Sequence, residues 1–231
     1  MKHFGVLSLV ILFTCFSFSN PTTRIKQTRE ATDFTKISCS LGVTLHLKQG
    51  SFEVIVEANE DILGKIETKV DNNTLIIKKK DGNGNINSNI DVYVSLPKLT
   101  NLSLAGSTQT FFENTFQFQN LDISSAGSCT LNFNSFSAEK LVLDLAGSCV
   151  VKIENAATCD NLEMQLAGSN NVFAKELAAK NATVDIGGSS KCELNVTEKL
   201  DVSIAGSGSV LYAGNPVINS QISGSGKITK M

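Results

Sequence analysis

Leu141-Val142-Leu143-Asp144-Leu145-Ala146-Gly147-Ser148-Cys149-Val150-Val151-Lys152-Ile153 reads as two short strands meeting at a glycine, and its phrasing returns throughout residues 102–228. The anchoring glycines are Gly106, Gly127, Gly147, Gly168, Gly188, Gly206 and Gly224, spaced by 21, 20, 21, 20, 18 and 18 residues. A fixed period near twenty is the signature of a solenoid.

Two residues before each glycine stand Leu104, Ser125, Leu145, Leu166, Ile186, Ile204 and Ile222; four before stand Leu102, Ile123, Leu143, Met164, Val184, Val202 and Ser220. The odd positions are polar: Ser103, Ser124, Asp144, Gln165, Asp185, Ser203 and Gln221 lie three before. This period-2 alternation belongs to a strand with one buried and one wet face. It resumes after the glycine, with Leu131, Val151, Val172, Cys192, Val210 and Ile228 four residues on, and polar pairs such as Glu139-Lys140 and Asp160-Asn161 precede each new apolar run.

A unit of twenty residues cannot bury its own apolar face, so equivalent strands must stack at roughly 4.8 Å per turn to build a common core. The pattern therefore predicts an all-β chain: a right-handed parallel β-helix of about seven coils, its glycines forming one corner line. Glycine suits a corner that needs positive φ or close approach of two backbones.

Met1-Lys2-His3 followed by the uncharged apolar run Phe4–Phe18 reads as a signal peptide ending at Ser19. The run is short of the roughly 20 apolar residues that span a bilayer. Leu12-Phe13-Thr14-Cys15 is a loose lipobox, which makes a lipoprotein linked through Cys15 the minor alternative. The expected division is signal peptide 1–19, N-terminal tail 20–33 and one β-solenoid domain 34–231, with 34–99 as atypical cap coils and 100–231 as the repeats. The expected location is exported, whether periplasm, outer-membrane surface or medium. A formal charge of −2 with scattered ionic residues gives no footprint for nucleic acid. Lys78-Lys79-Lys80 before Asp81-Gly82-Asn83-Gly84 reads as a solvated hairpin end.

Beyond the signal lie Cys39, Cys129, Cys149, Cys159 and Cys192, an odd number that leaves at least one thiol free. Cys129 and Cys149 both fall two after their glycine, so the solenoid stacks them within reach of a disulfide. Thr108, Asn170, Ser190, Gly208 and Gly226 share that column, so small size alone also accounts for them.

Strand signals without the period fill Phe34–Leu96, and Asn59–Gly64 could form one helical turn with Asn59 as cap and Gly64 as stop. Terminal repeats of solenoids are atypical because one face meets water. Phe34-Thr35-Lys36-Ile37, Gly42-Val43-Thr44-Leu45, Phe52-Glu53-Val54 with Glu57-Ala58, Leu75-Ile76-Ile77, and Val92-Tyr93-Val94-Ser95-Leu96-Pro97-Lys98-Leu99 lead in order to Leu102-Ser103-Leu104-Ala105-Gly106-Ser107. In that order they resemble the bacterial family described as putative auto-transporter adhesin, head GIN domain. The resemblance covers Phe34 to Lys230 and implies an exported β-helical domain with an adhesive role.

Chemistry is sparse. Asp144 and Asp185 share an outward column about 10 Å apart, a spacing an inverting glycosidase could use, yet neither Arg nor His accompanies them. His46 lies between Leu45 and Leu47 at an outward position and reads as a lone surface imidazole. The Gly-Ser corners carry no aspartate for calcium, so neither metal nor cofactor is expected. Phe112 and Phe133 fall in one inward column and read as core. Asn-x-Ser/Thr triplets at Asn72, Asn101, Asn181 and Asn195 read as chance matches.

The expectation is a non-catalytic envelope or surface module that adheres through its polar strand face to an envelope protein or glycan. A carbohydrate-binding module is the alternative, and a polysaccharide lyase or glycoside hydrolase a weaker one. The chain has no Trp and two tyrosines, Tyr93 and Tyr212, which disfavours sugar platforms. At the far end, Lys227 and Lys230 place charge on the last turn and favour a monomer or weak self-association.

Overall fold

The computed structural model describes residues 23–80, 86 and 89–231. The signal peptide, Cys15 and Asp81–Gly84 lie outside them. The described residues form sixteen strands, joined in a single sheet system, and one helical turn. The repeats are β8 (Asn101–Phe112), β9 (Phe116–Phe133), β10 (Phe136–Ile153), β11 (Ala157–Gly168), β12 (Asn171–Gly188), β13 (Lys191–Gly206), β14 (Ser209–Ala213), β15 (Val217–Gly224) and β16 (Lys227–Lys230).

Each repeat strand lies parallel on the next, in register at the glycines: Gly106 beside Gly127, then Gly147, Gly168, Gly188, Gly206 and Gly224. This is the parallel β-solenoid read from the period, with about six turns between the seven corner glycines. Leu141, Leu143, Leu145, Cys149, Val151 and Ile153 are all buried, while Asp144, Ala146 and Lys152 are exposed. The alternation therefore holds on both sides of the corner. The corner is a bend inside a continuous ladder rather than a loop, because Gly147 has φ +126° and still pairs with both neighbours.

A third side inside each turn starts aromatic, at Phe116, Phe118 and Phe136, and continues as Ala138, Ala157, Cys159, Leu177 and Ala179. Phe112 and Phe133 stack with centroids 4.1 Å apart, and Phe116 meets Phe112 edge-on at 5.4 Å. Toward the far end this side shrinks. Ala174 pairs with Leu194 but Ala178 with Asn195, so the 18-residue turn cuts the corner that the 20-residue turn rounds.

At Asn170 a polar side chain enters the core where the ladder needs it. The ladder breaks between Gly168 and Asn171, and fully buried Asn170 fills the gap. Its Oδ1 accepts from Cys149 N at 3.0 Å, and its Nδ2 donates to Ala167 O at 3.3 Å and Leu145 O at 3.4 Å.

The N-terminal segment contains β1 (Arg24–Arg29), β2 (Lys36–Cys39), β3 (Thr44–Gln49), β4 (Glu53–Asn59), α1 (Glu60–Leu63), β5 (Ile66–Asp71), β6 (Thr74–Lys79) and β7 (Asp91–Leu96). β2 and β3 lie parallel under β8, with Ile37 on Leu102 and Leu45 on Thr110; they form a further turn that the period conceals. β6 and β7 lie parallel under β2 and β3. Antiparallel strands finish this end: β4 on β7, β1 on β4, and β5 on β6.

Two local expectations change. Residues 20–33, read as a tail, contain β1, which is part of the sheet. The helical turn sits where expected, between Asn59 at its N-cap and Gly64 at its C-cap, but Asn59 makes no side-chain cap bond and Gly64 stops the helix in a right-handed conformation at φ −69°. The hairpin end read after Lys80 lies outside the described residues.

Candidate functional site

The outward side of the strand preceding the glycine corner is the most regular polar surface of the molecule. Ser38, Ser103, Ser124, Asp144, Gln165, Asp185, Ser203 and Gln221 follow one another in register from β2 to β15. Beside them runs a column of Ala105, Ala126, Ala146, Ala167, Gly187 and Ala205. Small residues flanked by longer ones make a shallow trough. Three consecutive concavities trace it: one by Ser103, Ser124 and Asp144, one by Asp144, Gln165 and Asp185, one by Asp185, Ser203 and Gln221.

Its groups differ in how far they are already engaged. Ser124 donates to Ser103 at 3.0 Å, and Ser103 to Asn101 at 3.1 Å. The next column outward holds Glu163, paired with Lys140 at 2.8 Å, and Asp201, paired with Lys199 at 2.6 Å. Lys199 and then Asn219 hold the Asp201 carboxyl below its ordinary range. Among the described residues Asp144 and Asp185 have no ion pair, although both are exposed. Gln165 separates them by register, as the spacing predicted.

His46, expected to be alone, is not. Its Nδ1 lies 2.8 Å from Glu113 Oε1 and its Nε2 3.3 Å from Asp91 Oδ1. Both contacts are hydrogen bonds only when both ring nitrogens carry protons. Tyr93 stacks on one face of the imidazole at 4.5 Å and Phe111 on the other at 5.6 Å. Arg24 bonds Asp91, and Tyr93 Oη donates to Glu57 at 3.2 Å. Lys26 pairs with Glu57 at 3.6 Å and caps the Tyr93 ring at 4.8 Å. Burial, then Glu57, pushes the Tyr93 phenol up.

Every charge in this cluster has a partner, and the ring faces cover one another. It ties β1, β4, β7, β3 and β8 together across the join between cap and repeats. Sequence could not assemble it, since His46 meets Tyr93 and Phe111 through strand pairings 47 and 65 residues apart.

A third feature is a cleft at the cap end between β1, β4 and β5, lined by Arg29, Phe52, Val54, Thr68 and Val70. Arg29 donates to Leu63 O at 2.9 Å, and burial lowers its pKa. Among the described residues no group of His, Cys, Asp and Glu is placed to hold a metal ion. No described helix is long and apolar enough to cross a membrane.

A family model described as putative auto-transporter adhesin, head GIN domain matches residues 33–216. Among solved structures, a putative adhesin from Bacteroides fragilis superposes with a TM-score of 0.81 at 23% identity, over 91% of this chain and 98% of that one. A putative lipid binding protein from Parabacteroides distasonis gives 0.65 at 22%, over 90% and 96%. A putative adhesin from the same species gives 0.69 at 16%, over 90% and 97%. At these identities the likeness concerns the fold. No curated protein matches the chain.

Proposed function

We propose, from the premise that this chain belongs to the putative auto-transporter adhesin, head GIN domain family, that it is a non-catalytic adhesion module of the cell envelope or surface. The trough is its contact face. The observation that carries the reading is the continuity of that trough: polar groups recur once per turn, about 4.8 Å apart, from Ser38 to Gln221. A surface of that kind suits a long, repeating, hydrogen-bonding partner, an envelope glycan or an extended segment of an envelope protein. Asp144 and Asp185, free of local cations, supply the charge that such a partner would meet.

The family description supports export, and the apolar Phe4–Phe18 run would direct it. Catalysis lacks its parts on this face. A lyase or hydrolase would need an acid, a base and an anion stabiliser converging on one bond. Arg24, Arg29 and His46 instead sit on the cap. The stacked Tyr93, His46 and Phe111 offer ring edges rather than a platform, which weighs against a dedicated sugar-stacking module.

The test is binding of the purified chain to a glycan array and to immobilised envelope extract. The expected result is saturable binding that Asp144→Ala with Asp185→Ala weakens about tenfold, or ~1.4 kcal/mol, with an unchanged melting curve. Binding that ignores both substitutions, or release of reducing ends from the glycans, would overturn the reading. A second reading has its own observation, the cap-end cleft, where Phe52, Val54 and Val70 lie beside Arg29 and Lys69 as well as Glu30 and Glu53; it would suit an amphiphile with a polar head, and loss of vesicle binding in Arg29→Gln would favour it.

A further inference from the structure

Cys129 and Cys149 are register partners on adjacent parallel strands, at the same position just inside the glycine corner. They are 3% and 0% exposed. Directly stacked strands lie about 4.8 Å apart, inside the Cα range of roughly 4.4–6.8 Å that a disulfide bridges. The surroundings of the two sulfurs are unlike the same place in other turns. The column two before the glycine is apolar in every turn except here, where Ser125 replaces Leu or Ile and is itself buried, 5% exposed. Ser125 Oγ lies 3.6 Å from Cys149 Sγ. A small hydroxyl therefore opens room beside the pair and hydrogen-bonds it.

We propose that Cys129 and Cys149 are an oxidisable pair that forms a disulfide between adjacent turns, locking one complete coil of the solenoid. The reaction is thiol–disulfide exchange with a low-molecular-weight disulfide or an exported thiol oxidase of that class. The Cys149 thiolate attacks one sulfur of the oxidant and expels the other as a thiolate. Cys129, deprotonated in turn, attacks Cys149 Sγ and expels the second. Two protein thiols are oxidised, one oxidant disulfide becomes two thiols, and two protons pass to solvent or the departing thiolates. Cys149 is the first nucleophile: the register places the Cys129 thiol against it, which lowers Cys149 and raises Cys129, while Ser125 lowers both. The other three cysteines are excluded by place. Cys39 and Cys159 each donate to the backbone carbonyl two residues on, at Leu41 and Asn161, and Cys192 stacks on Val172 and Val210.

The experiment is refolding of the reduced chain in a glutathione redox buffer, then alkylation, digestion and mass spectrometry. The expected product carries one link, Cys129 to Cys149, two mass units below the reduced peptides, with Cys39, Cys159 and Cys192 alkylated after denaturation. Its melting temperature should exceed that of the reduced form by several degrees, a difference that Cys149→Ser abolishes. Recovery of Cys129 and Cys149 both alkylated at every buffer ratio, or of links that scatter over the five cysteines, overturns the proposal.

Discussion

A Cβ built on Gly147 would lie 2.1 Å from the carbonyl oxygen of Gly127, whereas one on Gly106 meets nothing within 4 Å. Both residues have positive φ, at +126° and +96°. Gly106→Ala therefore costs only backbone strain, roughly 1–2 kcal/mol, while Gly147→Ala must also push two turns apart and should cost several times as much. Gly187 has ordinary φ and open space, in a column that is alanine in every other turn before Ser223. Gly187→Ala should stabilise by about 0.4–1 kcal/mol, and chemical denaturation of the three variants checks the order. The thiols give a residue-scale pH dependence. Burial pushes Cys39 and Cys159 up to about 11 and Cys192 up to about 12. Unfolded thiols ionise near 8.5, so above that pH the unfolded chain binds fewer protons than the folded one. The stability contributed by these protonated thiols is complete below about pH 8.5, falls as pH rises, and is gone by about pH 12. Native protein at pH 8 should leave all three unlabelled by iodoacetamide; prompt labelling would contradict their burial.

At the scale of the strand, inward and outward positions should respond differently to substitution. Leu145 is fully buried between Ser125 and Leu166, so Leu145→Asp leaves an unpaired charge in the stack and should cost roughly 3–5 kcal/mol. Ser124→Ala gives up one hydrogen bond to Ser103 on the wet side and should cost under about 1 kcal/mol. Equal losses in thermal melts would refute the assignment of faces. This alternation was legible because each turn repeats the constraint and the reader sees it seven times. The cap was not, for physical reasons. β2 and β3 obey the same alternation, but their parallel partners are drawn from residues 74–79, 91–96 and 101–112, so no fixed spacing marks them. β5 and β6 join instead through Asn72 and Asn73, whose φ of +47° and +61° make a tight two-residue hairpin with no place in the period. Tyr93, His46 and Phe111 show alternation on their strands but nothing that says they meet.

Across the whole molecule the two ends are unlike. The cap end is finished by antiparallel strands and the ionic cluster around His46, whereas every residue of β15 is exposed, including Val217 at 68% and Ile222 at 41%. Apolar edges invite pairing, and lysine discourages it. Lys230 reaches Asn215 at 3.3 Å, and Lys227 begins the same outer strand. Lys227→Thr with Lys230→Val should give concentration-dependent oligomers by light scattering; a double variant as monodisperse as the parent would remove the lysines from that role.

The interleaved cap also sets an order in time. Two turns of the array meet after 18 to 21 residues of chain, but β2 waits for β8 across 65 and β3 for β7 across 47. Closing the longest of these loops costs about 1 kcal/mol more than closing one turn, and no contact repays it until both partners exist. The array can therefore nucleate within itself and grow turn by turn, while the cap is assembled last, around a template already in place. Pulse-labelled hydrogen exchange during refolding should protect β9 to β13 before β2 and β3. A chain emerging from a membrane pore amino end first would then hold its cap strands open until the turns beyond them arrive.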